Sequence, residues 1–186
     1  MDKKTFRTDI KARIAAFDSA YIVESDTAIA QNIISLREFI AAPRVFTYLS
    51  IDREADTRRI IEHSLLVGKT VALPYRCKSG IMSFALLDRP INELSLGTYG
   101  IPAPPEGAET LIPDKGDIIL VPALCYDESF YRLGHGGGYY DRFLSVCQAF
   151  SVGLCRERLL VSAVPKDNFD MRVDAVVTEK RIARPL

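Results

Sequence analysis

The chain has 186 residues, 48% of them hydrophobic and 26% charged, with 24 basic side chains balancing 24 acidic ones. That length and composition fit one globular domain, residues 1–186, with a sizeable core. The charge balance argues against nucleic acid or anionic membrane as a partner, no run of 18 apolar residues could span a bilayer, and the polar start Met1-Asp2-Lys3-Lys4 does not read as an export signal.

Phe6, Ile10, Ile14, Phe17 and Tyr21 recur every three or four residues and predict one helix over 3–23. A second helix is expected over about 27–41 on Ile29, Ile33, Ile34, Leu36 and Ile40, with Pro43 ending helical character. Val45 to Leu49 reads as a strand, followed by a helix over 55–66 that Gly68 closes. Thr70 to Leu73 is a short strand stopped by Pro74, and Ile81 to Leu87 a strand or hairpin arm. Residues 90–115, rich in Pro and Gly, read as a surface loop with one helical turn. The apolar run Ile118-Ile119-Leu120-Val121 opens a buried strand to about residue 124, and Ser151 to Leu154 and Asp174 to Thr178 are the last strands. Helices alternating with short β-branched runs predict an α/β fold: an open, mainly parallel sheet flanked by helices. Such sheets bind ligands beyond the carboxyl ends of their strands. The segments 50–56 and 125–141 both leave predicted carboxyl ends, so they are expected to share one mouth.

The most informative run is Arg132 to Leu144, where four of the eleven glycines fall within five positions, 134–138. A strand, a glycine-rich loop and then a helix would present backbone N–H groups to a phosphate. Three consecutive glycines also cost more conformational freedom than a plain turn requires. The loop lacks Gly-Lys-Ser/Thr, so it is not a Walker A loop, and Tyr139 stands where the dinucleotide fingerprint needs its third glycine. Arg132 and Arg142 flank it as anion grips, and Asp141 could meet a metal ion. Lys3 and Arg7, four apart, share a helix face. Glu54 either caps the following helix or, if Asp56-Thr57 does so, points at a ligand. His135 reads equally as a phosphate donor or a space-filling loop residue, and His63 as structural. No Ser/His/Asp or Cys/His arrangement suggests a covalent nucleophile. Cys77, Cys125, Cys147 and Cys155 lack metal-ligand spacing and are expected as reduced, mostly buried thiols in a cytoplasmic protein.

The run Arg-Leu-Gly-x-Gly-x-Gly-Tyr-Tyr-Asp, here Arg132 to Asp141, resembles the motif of 5-formyltetrahydrofolate cyclo-ligases, also called methenyltetrahydrofolate synthetases. Lys3-x-x-x-Arg7, Tyr48-Leu49-Ser50 with Glu54, Asp56 and Thr57, Gly68-Lys69 before Ala72-Leu73-Pro74, Gly100 to Pro104, and Val164-Pro165 with Asp170 and Val173 to Thr178 follow in the family's order. The resemblance implies an enzyme, a monomer with ATP as co-substrate and Mg²⁺ as cofactor, that turns 5-formyltetrahydrofolate into 5,10-methenyltetrahydrofolate with release of ADP and phosphate. It implies a fold of the sugar-phosphate isomerase/CoA-transferase-like type. Carried over by motif, Lys3, Lys4, Thr5, Phe6 and Arg7 would hold ATP together with Arg132, Leu133, Gly134, His135, Gly136, Gly137, Gly138, Tyr139 and Tyr140. Leu49, Glu54 and the His135 to Tyr139 stretch would meet the reduced folate, Asp141 and Asp170 the metal, and Arg132 and Glu54 would serve the chemistry. Where many members have a glutamine lining the pterin site, this chain has Arg158-Leu159-Leu160. An ATP-dependent enzyme acting on another formyl or acyl acceptor, or a nucleotide-binding module, are the competing readings.

Overall fold

Asp2 opens the first helix, α1 (Lys3–Ala15), its carboxylate accepting from the Thr5 amide at 2.9 Å. The single helix expected over 3–23 is two, because Asp18 caps a new one, α2 (Ser19–Ile34), through the Tyr21 amide at 2.7 Å. The apolar periodicity runs across the corner because Phe17 and Tyr21 pack edge to face, ring centroids 5.0 Å apart, and hold the turn closed. The expected helix over 27–41 divides likewise into the end of α2 and a short α3 (Arg37–Ala41), with Leu36 buried at the break. The computed structural model describes residues 2–78, 81–97 and 100–185, without the side chains of 76–78.

Strand β1 (Arg44–Phe46) leads through a long loop to α4 (Arg58–Leu66) and then to β2 (Thr70–Lys78). Gly68 closes α4 at φ 78, as expected of a C-terminal glycine. Pro74 does not stop β2. By that point β1 has ended, so β2 has only β3 (Ile81–Leu86) beside it, in a hairpin with an irregularity between Pro74 and Arg76. Among the described residues, 90–115 include the 3₁₀ turn Ile91–Glu93 and the two-residue strands β4 (Ser95–Leu96), β5 (Pro102–Ala103) and β6 (Thr110–Leu111). Next comes β7 (Ile118–Val121), then a small hairpin of β8 (Cys125–Asp127) and β9 (Arg132–Leu133), then α5 (Tyr139–Leu144). β10 (Phe150–Leu154), β11 (Leu160–Val161), β12 (Ala175–Val177) and β13 (Ile182–Ala183) complete the chain.

The main sheet has eight strands in the order β13-β12-β10-β7-β1-β2-β3-β6. Strands β12, β10, β7, β1 and β2 run parallel, and antiparallel strands close both edges. All four residues of β7 are fully buried: Ile119 and Val121 join the cluster beneath α1 and α5, while Ile118 and Leu120 join the cluster of α2, α3 and α4. A strand covered on both faces must read as a continuous apolar run, which is how it was found. A second sheet, β11-β8-β9, packs on the main one through Tyr126, whose hydroxyl donates to the Val121 carbonyl at 2.8 Å. Gly153 makes room for that ring, since a Cβ there would fall inside it. Cys125 and Cys155 are free and buried and Cys147 is half-buried, whereas the side chain of Cys77 lies outside the described residues. Burial pushes the Cys125 thiol up to about 12, away from reactivity at neutral pH. No helix among the described residues is long and apolar enough to cross a membrane.

Candidate active site

From β1 the chain moves outward to β2, and it re-enters on the other side of β1 at β7. Connections that leave two neighbouring strands in opposite directions open a crevice at their carboxyl ends. A cleft of about 410 Å³ lies there. Ala55, Leu124, Leu154, Cys155, Arg156 and Leu159 form its buried floor, Ile14 and Ala15 of α1 a wall, and Lys11, Asp52 and Arg53 an exposed rim. A floor that is apolar apart from Arg156, under a charged rim, suits a flat aromatic ligand with a polar tail.

The glycine loop borders this cleft but does not leave a strand of the main sheet, as had been expected. It leaves β9, in the second sheet. Arginines hold it by its carbonyls: Arg7 Nε donates to Gly134 O at 2.9 Å and Arg142 to Gly137 O at 2.7 Å. Among the described residues no hydrogen bond from the N–H groups of 134–138 is present. Gly136 at φ 106 and Gly138 at φ 64 supply left-handed turns that side chains disfavour. Because α5 is only six residues long, its helix dipole is weak, and any anion at the loop would depend more on the loop amides.

Lys3 and Arg7 do share a face, and it meets the loop region. Lys3 Nζ lies 2.6 Å from Asp170 Oδ2 and 2.8 Å from Asp167 Oδ2. Burial alone would lower the Lys3 pKa, but these carboxylates raise it above its ordinary value. Phe6 packs on the core, Lys4 is exposed, and Thr5 is engaged with the Asp2 cap. Arg132, its side chain 4% exposed, lies behind the loop, 2.9 Å from Asp141 Oδ1 and 3.1 Å from the Met171 carbonyl, and its guanidinium faces the Tyr140 ring. Leu133 is buried, and Tyr139 lies under the Arg142 guanidinium.

Asp141 accepts through Oδ1 from Arg132 and the Met171 amide, and Asp170 through Oδ2 from Lys3 and the Asp167 amide. Each carboxylate thus keeps one oxygen clear of described partners. Two hard oxygens suit Mg²⁺, which is held mainly by water and phosphate and asks the protein for one or two carboxylates. No group of three or more His, Cys, Asp or Glu side chains forms a closed metal cage among the described residues.

Across the mouth, His135 Nε2 lies 3.4 Å from Glu54 Oε1, so segments 50–56 and 125–141 do meet. Glu54 does not cap α4. Its Oε2 accepts from the Ile51 amide at 3.1 Å, closing the tight turn 51–54, and Oε1 faces His135. Thr57 stands at the start of α4, but its hydroxyl donates to the Tyr48 carbonyl and accepts from the Ser50 amide. Leu49 packs its side chain with Ile61, Leu73 and Leu87, which leaves only its backbone for a ligand. Sequence reasoning missed Arg156, 2% exposed, which holds Asp26 Oδ1 at 2.5 Å, Ser25 Oγ at 3.0 Å and the carbonyls of Arg53 and Glu54 at 2.7 and 3.2 Å. Burial raises the pKa of Asp26, and the Arg156 charge opposes that rise. In the stretch Arg158-Leu159-Leu160, Arg158 lies over the Tyr21 ring, 4.0 Å from its centroid, and Leu159 lines the cleft.

A family profile described as the 5-formyltetrahydrofolate cyclo-ligase family matches residues 1–179. The chain is 31% identical to a 5-formyltetrahydrofolate cyclo-ligase of Escherichia coli over 82% of its own length and 87% of that protein's. It is 27% identical to a probable 5-formyltetrahydrofolate cyclo-ligase of Schizosaccharomyces pombe, over 99% and 98%. Its fold superposes on the NMR structure of an Aquifex aeolicus 5,10-methenyltetrahydrofolate synthetase with a TM-score of 0.84 and 30% identity, covering 99% of this chain and 93% of that one.

Proposed function

The chain belongs to the 5-formyltetrahydrofolate cyclo-ligase family, and from that membership we infer that its glycine loop and its loop after β1 serve the two substrates of an ATP-dependent ligase. The reaction turns 5-formyltetrahydrofolate into 5,10-methenyltetrahydrofolate. The carrying observation is the meeting of the two loops at His135 and Glu54 over a cleft of about 410 Å³.

In this reading the loop amides, Lys3 and Arg7 receive the ATP phosphates, and the cleft receives the pterin. A formyl group on N5 is an amide-like, unreactive carbonyl. Its oxygen attacks the γ-phosphorus and the bond to the departing ADP breaks. N10 then adds to the activated formyl carbon, loses its proton, and inorganic phosphate leaves with the former formyl oxygen. No covalent enzyme intermediate is required, so the protein acts by alignment and charge neutralisation. Lys3 and Arg132 are paired with carboxylates before ATP arrives. Incoming phosphate competes for Lys3, while Arg132 fixes the geometry of the loop through Asp141. Mg²⁺, held at Asp141 and Asp170 beside the phosphates, would neutralise charge developing on them. Glu54 orients the pterin or N10 edge by hydrogen bonding, and His135 bridges the two substrates. The same reading takes the chain as a cytoplasmic monomer and its sheet as of the sugar-phosphate isomerase/CoA-transferase-like type.

The test mixes purified protein with 5-formyltetrahydrofolate, ATP and Mg²⁺ and follows the near-ultraviolet absorbance of methenyltetrahydrofolate. ATP-dependent growth of that band is expected. Folded protein that binds both substrates without producing the band would overturn the reading.

A further inference from the structure

Arg156 follows β10 on the cleft floor, and its environment is unusual for a charge. Burying an ion costs several kcal/mol that a single carboxylate rarely repays in full, so apolar packing would serve stability as well. What an apolar side chain could not do is hold two successive carbonyls. The Arg156 fork bonds to both Arg53 O and Glu54 O, at 2.7 and 3.2 Å. Pinning the peptide planes on either side of Glu54 fixes the direction in which its Cα–Cβ bond leaves the chain. The far side of the fork is anchored on α2 by Ser25 Oγ and Asp26 Oδ1, and Asp26 Oδ1 also accepts the Asp56 amide at 3.2 Å. From the front, Arg53 donates to the Phe17 carbonyl at 2.7 Å, tying the same turn to the end of α1. The turn is thus fixed on two sides, with the Glu54 carboxylate facing His135 across the mouth.

We propose that Arg156 is a positioning residue for the folate half of the site, acting through the Glu54 backbone to aim the Glu54 carboxylate. The proposal rests on the reading of Glu54 as a folate-side group. It commits to a planar fork and not to charge alone. Lysine presents one point of charge and cannot span two carbonyls and a carboxylate in a plane. Among the described residues the polar partners of Arg156 lie on α2 and the turn 53–54 and not on the glycine loop, which sets it on the folate side.

The test measures 5-formyltetrahydrofolate affinity by calorimetry and the two KM values for wild type, R156K, R156M and E54Q, and for R156K in the E54Q background. R156K and R156M are both expected to weaken folate binding about tenfold, with the KM for ATP within about twofold, as for loss of an oriented hydrogen bond. In the E54Q background R156K adds less than about twofold, because both changes remove one interaction. Rescue by lysine, an equal rise in the KM for ATP, or full additivity with E54Q overturns the proposal. If the Arg156 variants do not fold, D26N loosens the same fork with arginine retained, and the same non-additivity with E54Q is required. Failure of the wild type to bind 5-formyltetrahydrofolate would instead overturn the underlying reading.

Discussion

The glycine loop is held from its surface, by Arg7 and Arg142 reaching its carbonyls, and from behind by the Arg132–Asp141 pair. The loop after β1 is held from behind by Arg156, and from within by a net of Tyr48, Ser50, Glu54, Asp56 and Thr57. The first arrangement sets cations beside the loop, on its Gly134 and Gly137 carbonyls. The second leaves one carboxylate and an apolar floor. In the proposed reading this contrast divides the work: one loop would neutralise charge and the other would select shape.

The sharpest way to break this division is Arg132→Ala. It leaves Asp141 without its cation and is expected to cost about 2 kcal/mol of stability and about 10- to 100-fold in ATP affinity. Chemical denaturation and nucleotide titration check the two parts, and folate affinity should hold. Gly136→Ala forces a side chain into φ 106 beside the Arg7 guanidinium. A rise of about tenfold in the KM for ATP is expected, from strain on the order of 1–3 kcal/mol; an equal effect on folate would erase the contrast between the loops. Glu54→Gln should do the reverse, raising the KM for folate about five- to tenfold with that for ATP unchanged, the loss of one charged acceptor.

The smallest effect belongs to a control outside both loops. The Arg184 guanidinium on Glu38 holds its carboxyl at about 2, below the ordinary 4.5. A depressed carboxylate pKa stabilises the fold above the unfolded value, and that contribution is lost as pH falls through the folded value. Glu38→Gln should therefore cost up to about 1 kcal/mol at neutral pH, discounted for exposure of Arg184. The variant should show a flatter stability profile between about 4.5 and about 2 by denaturation at stepped pH, with both KM values unmoved.

Much of the glycine loop was legible beforehand because its requirements are local. Left-handed backbone at Gly136 and Gly138 demands particular residues at particular positions, and such demands are written in order along the chain. Lys3 and Arg7 were legible as a pair because helical spacing fixes a shared face. The β1 loop was far less so. Nothing near Arg156 in sequence signals that it would be buried, since its partners Asp26 and Glu54 are 130 and 102 positions away. The corner at Asp18 was misread because apolar periodicity reports which side chains are buried together and not whether the backbone between them is continuous.

By itself, then, the order of residues determined the α/β class, the run of strands and helices that alternate around β7, and the strand, glycine loop and helix of residues 132–144. Each follows from periodicity, from backbone restrictions of single residues, or from groups a few positions apart. Tertiary structure decided that the glycine loop springs from a second sheet, that Leu49 turns into the core, that Arg158 leaves the cleft to Leu159, and that His135 and Glu54 face each other. Those outcomes depend on pairing segments distant in the chain. Their selection came from the burial of whole faces against one another, a quantity that no short stretch of residues contains.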